Sequence, residues 1–155
     1  MAIGDAVANQ FTRAWEIFRA AVGNFPAEEW RVGDDDYRVP ARLAYHLIEA
    51  AEFYARARPE GGESLWRGLP DWEAARPHEF PTQPQIVAYV DQVQPFVEGW
   101  LRKAGDDDML ADNAFPWTGS TVLERALYLL RHTQHHVAEL NLELRRRGLS
   151  RAEWR

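Results

Sequence analysis

Three of the five histidines in this 155-residue chain lie in one short segment, RHTQHHVAEL at 131–140. The segment has no glycine or proline and continues a run of apolar residues at helical spacing, which predicts a helix. Residues four apart share a helix face, so His132 and His136 form a facing pair and His135 points away. Two imidazoles one turn apart are suited to ligate a single metal ion at about 2.0 to 2.1 Å.

A third imidazole is available in an earlier helical segment, AYHLIEAAEFY. His46 lies there at the margin of the apolar stripe, and the His132/His136 pair borders the stripe of its own helix. If the two helices are neighbours, three imidazoles meet and leave positions open for water or substrate, as in catalytic sites. We therefore predict a metal site of His46, His132 and His136. His78, in a proline-flanked loop, and His135 are predicted to lie outside it.

Two further side chains are candidates for roles beside these histidines. Tyr128 precedes His132 by one turn, and Glu139 follows His136 by three residues. Each is predicted to contact a metal-binding histidine or to carry a proton in catalysis. The alternative is that each is an ordinary surface residue. The Glu-x-x-His signature of di-iron bundles and the His-Glu-x-x-His motif of zinc proteases are both absent from the sequence.

Composition narrows the class of protein. A chain of 155 residues that is 46% hydrophobic and 27% charged predicts one globular domain spanning residues 1–155. A net charge of -6 and the lack of a basic face argue against nucleic-acid binding. The absence of a long apolar run and of a signal-peptide pattern predicts a cytoplasmic protein without a membrane partner. No cysteine is present, which excludes disulfides, Cys-ligated zinc and a cysteine nucleophile.

Four amphipathic segments must position the histidines, and they predict an all-α four-helix bundle. Pro40 suits a first helical position. Thr82 with Gln85, and Thr121 with Glu124, predict capping boxes that open the third and fourth helices. Aspartate runs at 34–36 and 106–108 fall in predicted linkers, where we expect solvated turn residues rather than cation ligands. The predicted helices run approximately over residues 3–24, 40–56, 82–105 and 121–148.

The connection between the second and third helices is long and rich in glycine and proline. About two dozen residues can span a helix of roughly 25 to 30 Å, so these two helices are free to run parallel. That predicts an up-down-down-up order, and an up-and-down bundle with a wandering loop is the alternative. Trp66 and Trp72 lie in this loop, where they either anchor it to the bundle or cover a pocket.

Three stretches of the chain match a known pattern: Pro-Ala-Glu-Glu-Trp after the first helix, a histidine within ARLAYHLIEAAEFY, and the closing helix HTQHHVAELNLELRRRG. With them the chain resembles the DinB/YfiT-like superfamily of metal-dependent bundle proteins. The resemblance implies an up-down-down-up bundle, often dimeric, in which His46, His132 and His136 hold nickel, zinc or a similar divalent ion such as iron or manganese. Ala138-Glu139 departs from the family's frequent Gly-Gln, which affects helix packing rather than ligation.

The resemblance also implies a function, because characterised relatives include S-transferases and isomerases that use bacillithiol or mycothiol. We expect a metal-dependent S-transferase of a low-molecular-weight thiol, or a related hydrolase, acting on a small-molecule substrate as a homodimer. The metal would lower the pKa of a bound thiol or water. The alternatives are a non-catalytic metal-binding protein, a helical interaction module without metal, and haem ligation by facing histidines.

Overall fold

The computed structural model describes residues 1–68 and 70–155, and its helices and turns include no β-strand over those ranges. An isolated bridge pairs Asp112 with Thr121. The all-α prediction is confirmed for the described residues. None of the helices there combines the length and the apolar composition needed to cross a membrane. The α-helices are α1 (Ile3–Gly23), α2 (Pro40–Ala55), α3 (Gln83–Lys103), α4 (Asp106–Leu110) and α5 (Val122–Arg146).

The short helix α4 was not expected, because residues 106–108 were predicted to be solvated turn residues in a linker. The carboxylate of Asp108 accepts a hydrogen bond of 3.0 Å from the backbone N–H of Gly105, which closes the first turn. Acidic residues in a first turn also favour helix formation through the helix dipole. Met109 is fully buried and holds the turn against the bundle. The linker prediction was therefore wrong at residues 106–110.

α3 and α5 begin where the capping boxes in the sequence predicted. At the start of α3, Thr82 N–H donates to Gln85 Oε1 at 2.9 Å, and Gln85 N–H donates to Thr82 Oγ1. At the start of α5, Thr121 and Glu124 form the same reciprocal pair. Hydrogen bonds from Thr121 hold the pKa of the Glu124 carboxyl below its usual value. Local sequence is sufficient for these features because each partner is three residues from the other.

The four long helices surround a common apolar core. α1 packs on α3 and α5, and α2 packs on the same two helices. Fully buried aromatic and aliphatic side chains from each helix fill the space between them, including Phe11, Trp15, Ile48, Tyr89 and Leu140. Because α2 packs against α5, the apolar margins that carry the histidines face each other.

Contacts at the helix ends show which termini lie together. The side-chain amide of Gln83, at the start of α3, donates at 2.7 Å to two carbonyls at the end of α1. Gly4, at the start of α1, lies so close to Leu101 that a Cβ atom would collide with its carbonyl oxygen. Arg125, at the start of α5, donates to the carbonyl of Arg56 at the end of α2 at 3.2 Å.

The crossover loop, residues 57–82, is held to the bundle by polar side chains of α2. The hydroxyl of Tyr45 donates to the carbonyl of Pro70 at 2.8 Å. The buried carboxylate of Glu52 accepts hydrogen bonds from Ser64 Oγ at 3.0 Å and from the backbone N–H of Leu65 at 3.1 Å. The ring of Trp66 packs on Tyr89, with 5.8 Å between ring centroids. Trp66 thus anchors the loop to α3, which is one of the two alternatives predicted from the sequence.

Candidate metal centre

The structure brings together the three histidines whose convergence the sequence predicted. His46 projects from α2, and His132 and His136 project from successive turns of α5. The Nε2 atom of His132 lies 3.2 Å from Nε2 of His46 and 3.2 Å from Nε2 of His136. The three residues form a group whose donor atoms all lie within 4.8 Å of one another.

The spacing of these nitrogens fits one tetrahedral metal ion. Two ligand nitrogens at about 2.05 Å from zinc, separated by a tetrahedral angle, lie roughly 3.3 Å apart. The two separations that involve Nε2 of His132 are both 3.2 Å. Three protein ligands leave a fourth position open for water or a substrate, which is the arrangement found in catalytic rather than structural zinc sites.

Glu139 determines which nitrogen of His136 faces the other histidines. His136 Nδ1 lies 2.6 Å from Glu139 Oε2, so Nδ1 carries the proton and donates to the carboxylate. In the neutral ring this leaves a lone pair on Nε2, directed at His132. Metal-binding histidines usually have such a partner on their second nitrogen, and it fixes the ring orientation. Glu139 therefore contacts His136, the partner that their spacing of three residues predicted.

His46 lacks a comparable partner. Its Nδ1 atom is buried and has no hydrogen-bond partner within residues 1–68 and 70–155. The nearest carboxylate oxygen, Oε2 of Glu49, lies 3.9 Å away, beyond hydrogen-bond distance. The indole ring of Trp72 instead packs on the imidazole, with 4.0 Å between centroids and 33° between planes. Trp72 therefore contacts the predicted site, whereas Trp66, from the same loop, packs on α3.

An aromatic cluster flanks the site on the side of His132. The ring of Tyr128 lies nearly parallel to that of His132, at 19° and with 6.4 Å between centroids. Tyr54 packs against Tyr128 at 5.1 Å, and its hydroxyl accepts a hydrogen bond of 3.2 Å from the indole N–H of Trp117. Burial raises the pKa of Tyr54 above its ordinary value. Tyr128 thus borders the site as predicted, and its catalytic role stays a prediction.

Burial keeps His132 and His136 of α5 in the neutral form that a metal requires. Burial, followed by the neighbouring imidazoles, lowers the pKa of His132 from 6.5 to about 3. Burial also lowers the pKa of His136, and the hydrogen bond with Glu139 acts in the opposite direction. Both rings are therefore neutral near pH 7. A metal ion therefore need not displace an imidazolium proton from either ring at that pH.

The remaining histidines lie elsewhere. His78 is exposed in the short turn Pro77–Glu79. His135 is 65% exposed, and its Nε2 lies 3.6 Å from Glu139. His135, His136 and Glu139 form a second group of neighbouring donors. In that group Nδ1 of His136 already donates to Glu139, and His135 is exposed, so the three-histidine group is the better metal site.

Sequence reasoning missed the side chains that hold Trp72 beside His46. Arg42 is only 4% exposed, and its guanidinium donates to the carbonyl of Trp72 at 2.6 Å. An arginine within the mostly apolar run PARLAYHLI was the available signal. A cavity of about 670 Å³ opens next to this contact and is lined by Glu49, Glu52, Trp72 and Glu73, among others, and by none of the three histidines. Its volume is in the range of small-molecule sites.

Comparison with known families adds an independent observation. A family model described as the DinB superfamily matches residues 10–140 of the chain. The matched range includes all three histidines of the candidate metal centre and Glu139. No curated protein gives a significant match.

Proposed function

Because the chain belongs to the DinB superfamily, we propose that it is a metal-dependent enzyme whose divalent ion is held by His46, His132 and His136. The observation that carries the proposal is the convergence of the three imidazoles, in which Nε2 of His132 lies 3.2 Å from Nε2 of both His46 and His136. Three imidazole nitrogens that face one another can together ligate one cation, whereas a hydrogen bond between two imidazoles joins only two of the rings at a time. Burial lowers the pKa of His132 to about 3, so its ring is neutral near pH 7 and can offer a lone pair to a metal ion.

The metal that we propose is nickel or zinc, with iron and manganese as alternatives. Imidazole nitrogen suits nickel, zinc and iron, and the choice among them depends on cellular supply as well as on affinity. The absence of cysteine removes the thiolate ligands that would favour softer ions.

The reaction that we propose is transfer of a low-molecular-weight thiol to a small molecule, or a related hydrolysis. When bound, the divalent ion lowers the pKa of a thiol or water and supplies a nucleophile near neutral pH. Since the chain has no cysteine, the thiol must come from a cosubstrate. Glu139 keeps the proton on Nδ1 of His136, and Tyr128, packed beside His132, is the candidate for moving a proton to or from the substrate.

We also propose the up-down-down-up order for the four long helices. The start of α3 contacts the end of α1, and the start of α5 contacts the end of α2. Asn24, just after α1, donates to the carbonyl of Ser150, just after α5, at 2.9 Å, as expected if α1 and α5 run in the same direction. Because the chain has no cysteine, the double variant Asn24→Cys/Ser150→Cys tests this order by oxidative cross-linking.

We further propose that the protein is a cytoplasmic homodimer. It would act on small molecules and have no nucleic-acid or membrane partner. The net charge of -6 disfavours nucleic acid. Large apolar side chains are exposed at Leu127, Leu142 and Trp154, and such residues are available for contact between subunits. Sedimentation analysis measures the oligomeric state directly.

Elemental analysis of untagged protein tests the metal centre. We expect about one equivalent of a divalent metal in the parent and its loss in His132→Ala. His135→Ala is the matched control, since it removes an exposed histidine of the same helix and should retain the metal. Absence of metal from the parent protein, even after incubation with nickel or zinc, would contradict the proposal.

Catalysis is tested next, on protein that has been shown to bind metal. Thiol transfer is assayed with metal-loaded and chelator-treated protein, using bacillithiol, mycothiol and glutathione with electrophilic acceptors. We expect turnover only in the loaded form. A loaded protein without an exchangeable water, and without turnover, would instead be a non-catalytic metal-binding protein.

A further inference from the structure

The three histidines differ in what fixes the orientation of each ring. His136 donates from Nδ1 to Glu139, whereas Nδ1 of His46 has no hydrogen-bond partner in the described part of the chain. A metal ligand normally needs such a partner to hold its ring plane and tautomer. Glu49 is 3.9 Å away and does not supply one. Some other contact must therefore restrict the ring of His46.

The indole of Trp72 is in the position to do so. Its ring lies on the face of the His46 imidazole, with 4.0 Å between centroids and 33° between planes. At that distance the imidazole cannot rotate far about χ2 without colliding with the indole. The contact also covers the ring, and only 18% of the His46 side chain remains exposed.

Trp72 is itself held in place through its backbone. The guanidinium of Arg42 donates to the carbonyls of Trp72 at 2.6 Å, Glu73 at 3.4 Å and Ala75 at 2.8 Å. Arg42 is buried, and a buried guanidinium that loses its acceptors is strongly disfavoured. The loop segment 72–75 is therefore kept where its carbonyls meet Arg42. Arg42 lies one helical turn before His46 on α2, so loop and ligand share one rigid support.

We infer that Trp72 is the positioning residue for His46, and that Arg42 acts through Trp72 to set the affinity of the metal centre. The inference rests on the proposed metal site and adds a role for the crossover loop in it. Of the two long-loop tryptophans, Trp72 orients a ligand, and Trp66 anchors the loop to Tyr89. A change in loop packing at 72–75 should therefore alter metal binding even though no loop residue ligates the ion.

Cobalt(II) binding tests this assignment, because cobalt reports both affinity and ligand geometry through its visible absorption. Affinity is measured by competition with a chelator for the parent, Trp72→Ala, Trp72→Phe and Arg42→Lys, and circular dichroism checks that each variant is folded. We expect Trp72→Ala to weaken cobalt binding about 10- to 100-fold, the range for loss of a ligand's outer partner. Its absorption band should shift, and Trp72→Phe should restore most of the affinity.

Arg42→Lys keeps the charge but loses the forked hydrogen bonds to the loop carbonyls. It should weaken cobalt binding in the same direction as Trp72→Ala and by less. The matched control is Trp66→Ala, which removes a tryptophan of the same loop that packs on Tyr89 instead of on His46. It should leave the cobalt affinity and the absorption band unchanged. If Trp72→Ala loses helicity, Trp72→Leu, which keeps an apolar side chain without a planar ring, replaces it.

The outcomes separate the inference from the proposed function. If the parent binds cobalt and the folded Trp72 variants bind it equally well with the same spectrum, the inference is overturned and the metal centre stands. Equal weakening by Trp66→Ala also overturns the inference, because general loop packing would then explain the effect. A parent that binds no cobalt overturns both.

Discussion

Two polar clusters on α2 lie less than two helical turns apart and are satisfied in opposite ways. Glu52 is 2% exposed, and its two carboxylate oxygens accept hydrogen bonds from Arg56, Ser64, the N–H of Leu65 and Tyr89. At the histidine cluster, three Nε2 atoms face one another, and Nδ1 of both His46 and His132 has no partner within residues 1–68 and 70–155.

The contrast separates a structural cluster from a binding site. A buried polar group whose hydrogen bonds are all made stabilises the fold and needs nothing further. Buried imidazole nitrogens that lack a hydrogen-bond partner are disfavoured, and three imidazoles whose Nε2 atoms face one another can together ligate a cation. The Glu52 cluster therefore joins α2, α3 and the crossover loop, and the histidine cluster is where a ligand is expected.

Loss of Glu52 should have the largest effect on stability. Glu52→Ala leaves the guanidinium of Arg56 and the hydroxyl of Tyr89 without their acceptor, and removal of one partner of a buried pair lowers the free energy of unfolding by about 3 kcal/mol or more. Urea denaturation measures the change. Glu63→Ala, which removes a fully exposed ion pair with Arg67, is the control and should change little. A small effect of Glu52→Ala would remove the contrast between the clusters.

Metal binding should stabilise the unsubstituted protein, and this stabilisation should depend on the histidine cluster alone. At a free zinc concentration one hundred times Kd, binding to the folded state adds about 2.7 kcal/mol to the free energy of unfolding. Thermal denaturation with and without zinc measures this as a rise in Tm. His132→Ala should show no rise, and His135→Ala should retain it. An equal rise in all three proteins would show that zinc binds elsewhere.

Glu139 should matter for metal affinity and less for stability. Glu139→Ala removes the acceptor of the His136 hydrogen bond, and loss of such a partner weakens metal binding about 10- to 100-fold. Isothermal titration with zinc measures the affinity. Glu49→Ala is the matched control, because Glu49 lies near His46 without hydrogen-bond contact. Equal weakening by both substitutions would point to net charge rather than to orientation of the ligand.

The smallest expected effect is a pH dependence of the metal-free protein. The pKa of His132 is about 3 in the folded state and 6.5 without the fold, so the unfolded chain binds more protons between these values. The free energy of unfolding should therefore fall as pH drops from 6.5 towards 3. Urea denaturation at pH 5 and pH 7 measures the slope, and His132→Ala should reduce it. An unchanged slope in that variant would contradict the pKa assigned to His132.

The helices and their beginnings could be predicted because the determinants are local. Capping boxes at Thr82 and Thr121 and the proline at position 40 act within one turn of the residues they cap. The contact between His136 and Glu139 follows from a spacing of three residues on one helix. The convergence of His46 with the pair on α5 required only that two apolar margins face each other.

The contacts of the crossover loop could not be predicted, because no periodic pattern links its residues to α2. Arg42 meets the carbonyls of residues 72, 73 and 75, and any residue type would present the same carbonyls. Trp66 and Trp72 have the same side chain in the same loop, and only the structure shows which one packs on a histidine. Helix α4 was missed because five residues carry too little pattern.

The hydrogen bonds of Arg42 also bear on the order in which the site assembles during folding. They join residues about 30 positions apart in the chain, whereas His46 and His132 are separated by 86 positions. Contacts between residues close in the chain form with a smaller loss of chain entropy and therefore tend to form earlier. We expect α2 and its loop to place Trp72 on His46 before α5 docks. A metal ion would then bind the folding chain only at the last step, when α5 brings His132 and His136 into place.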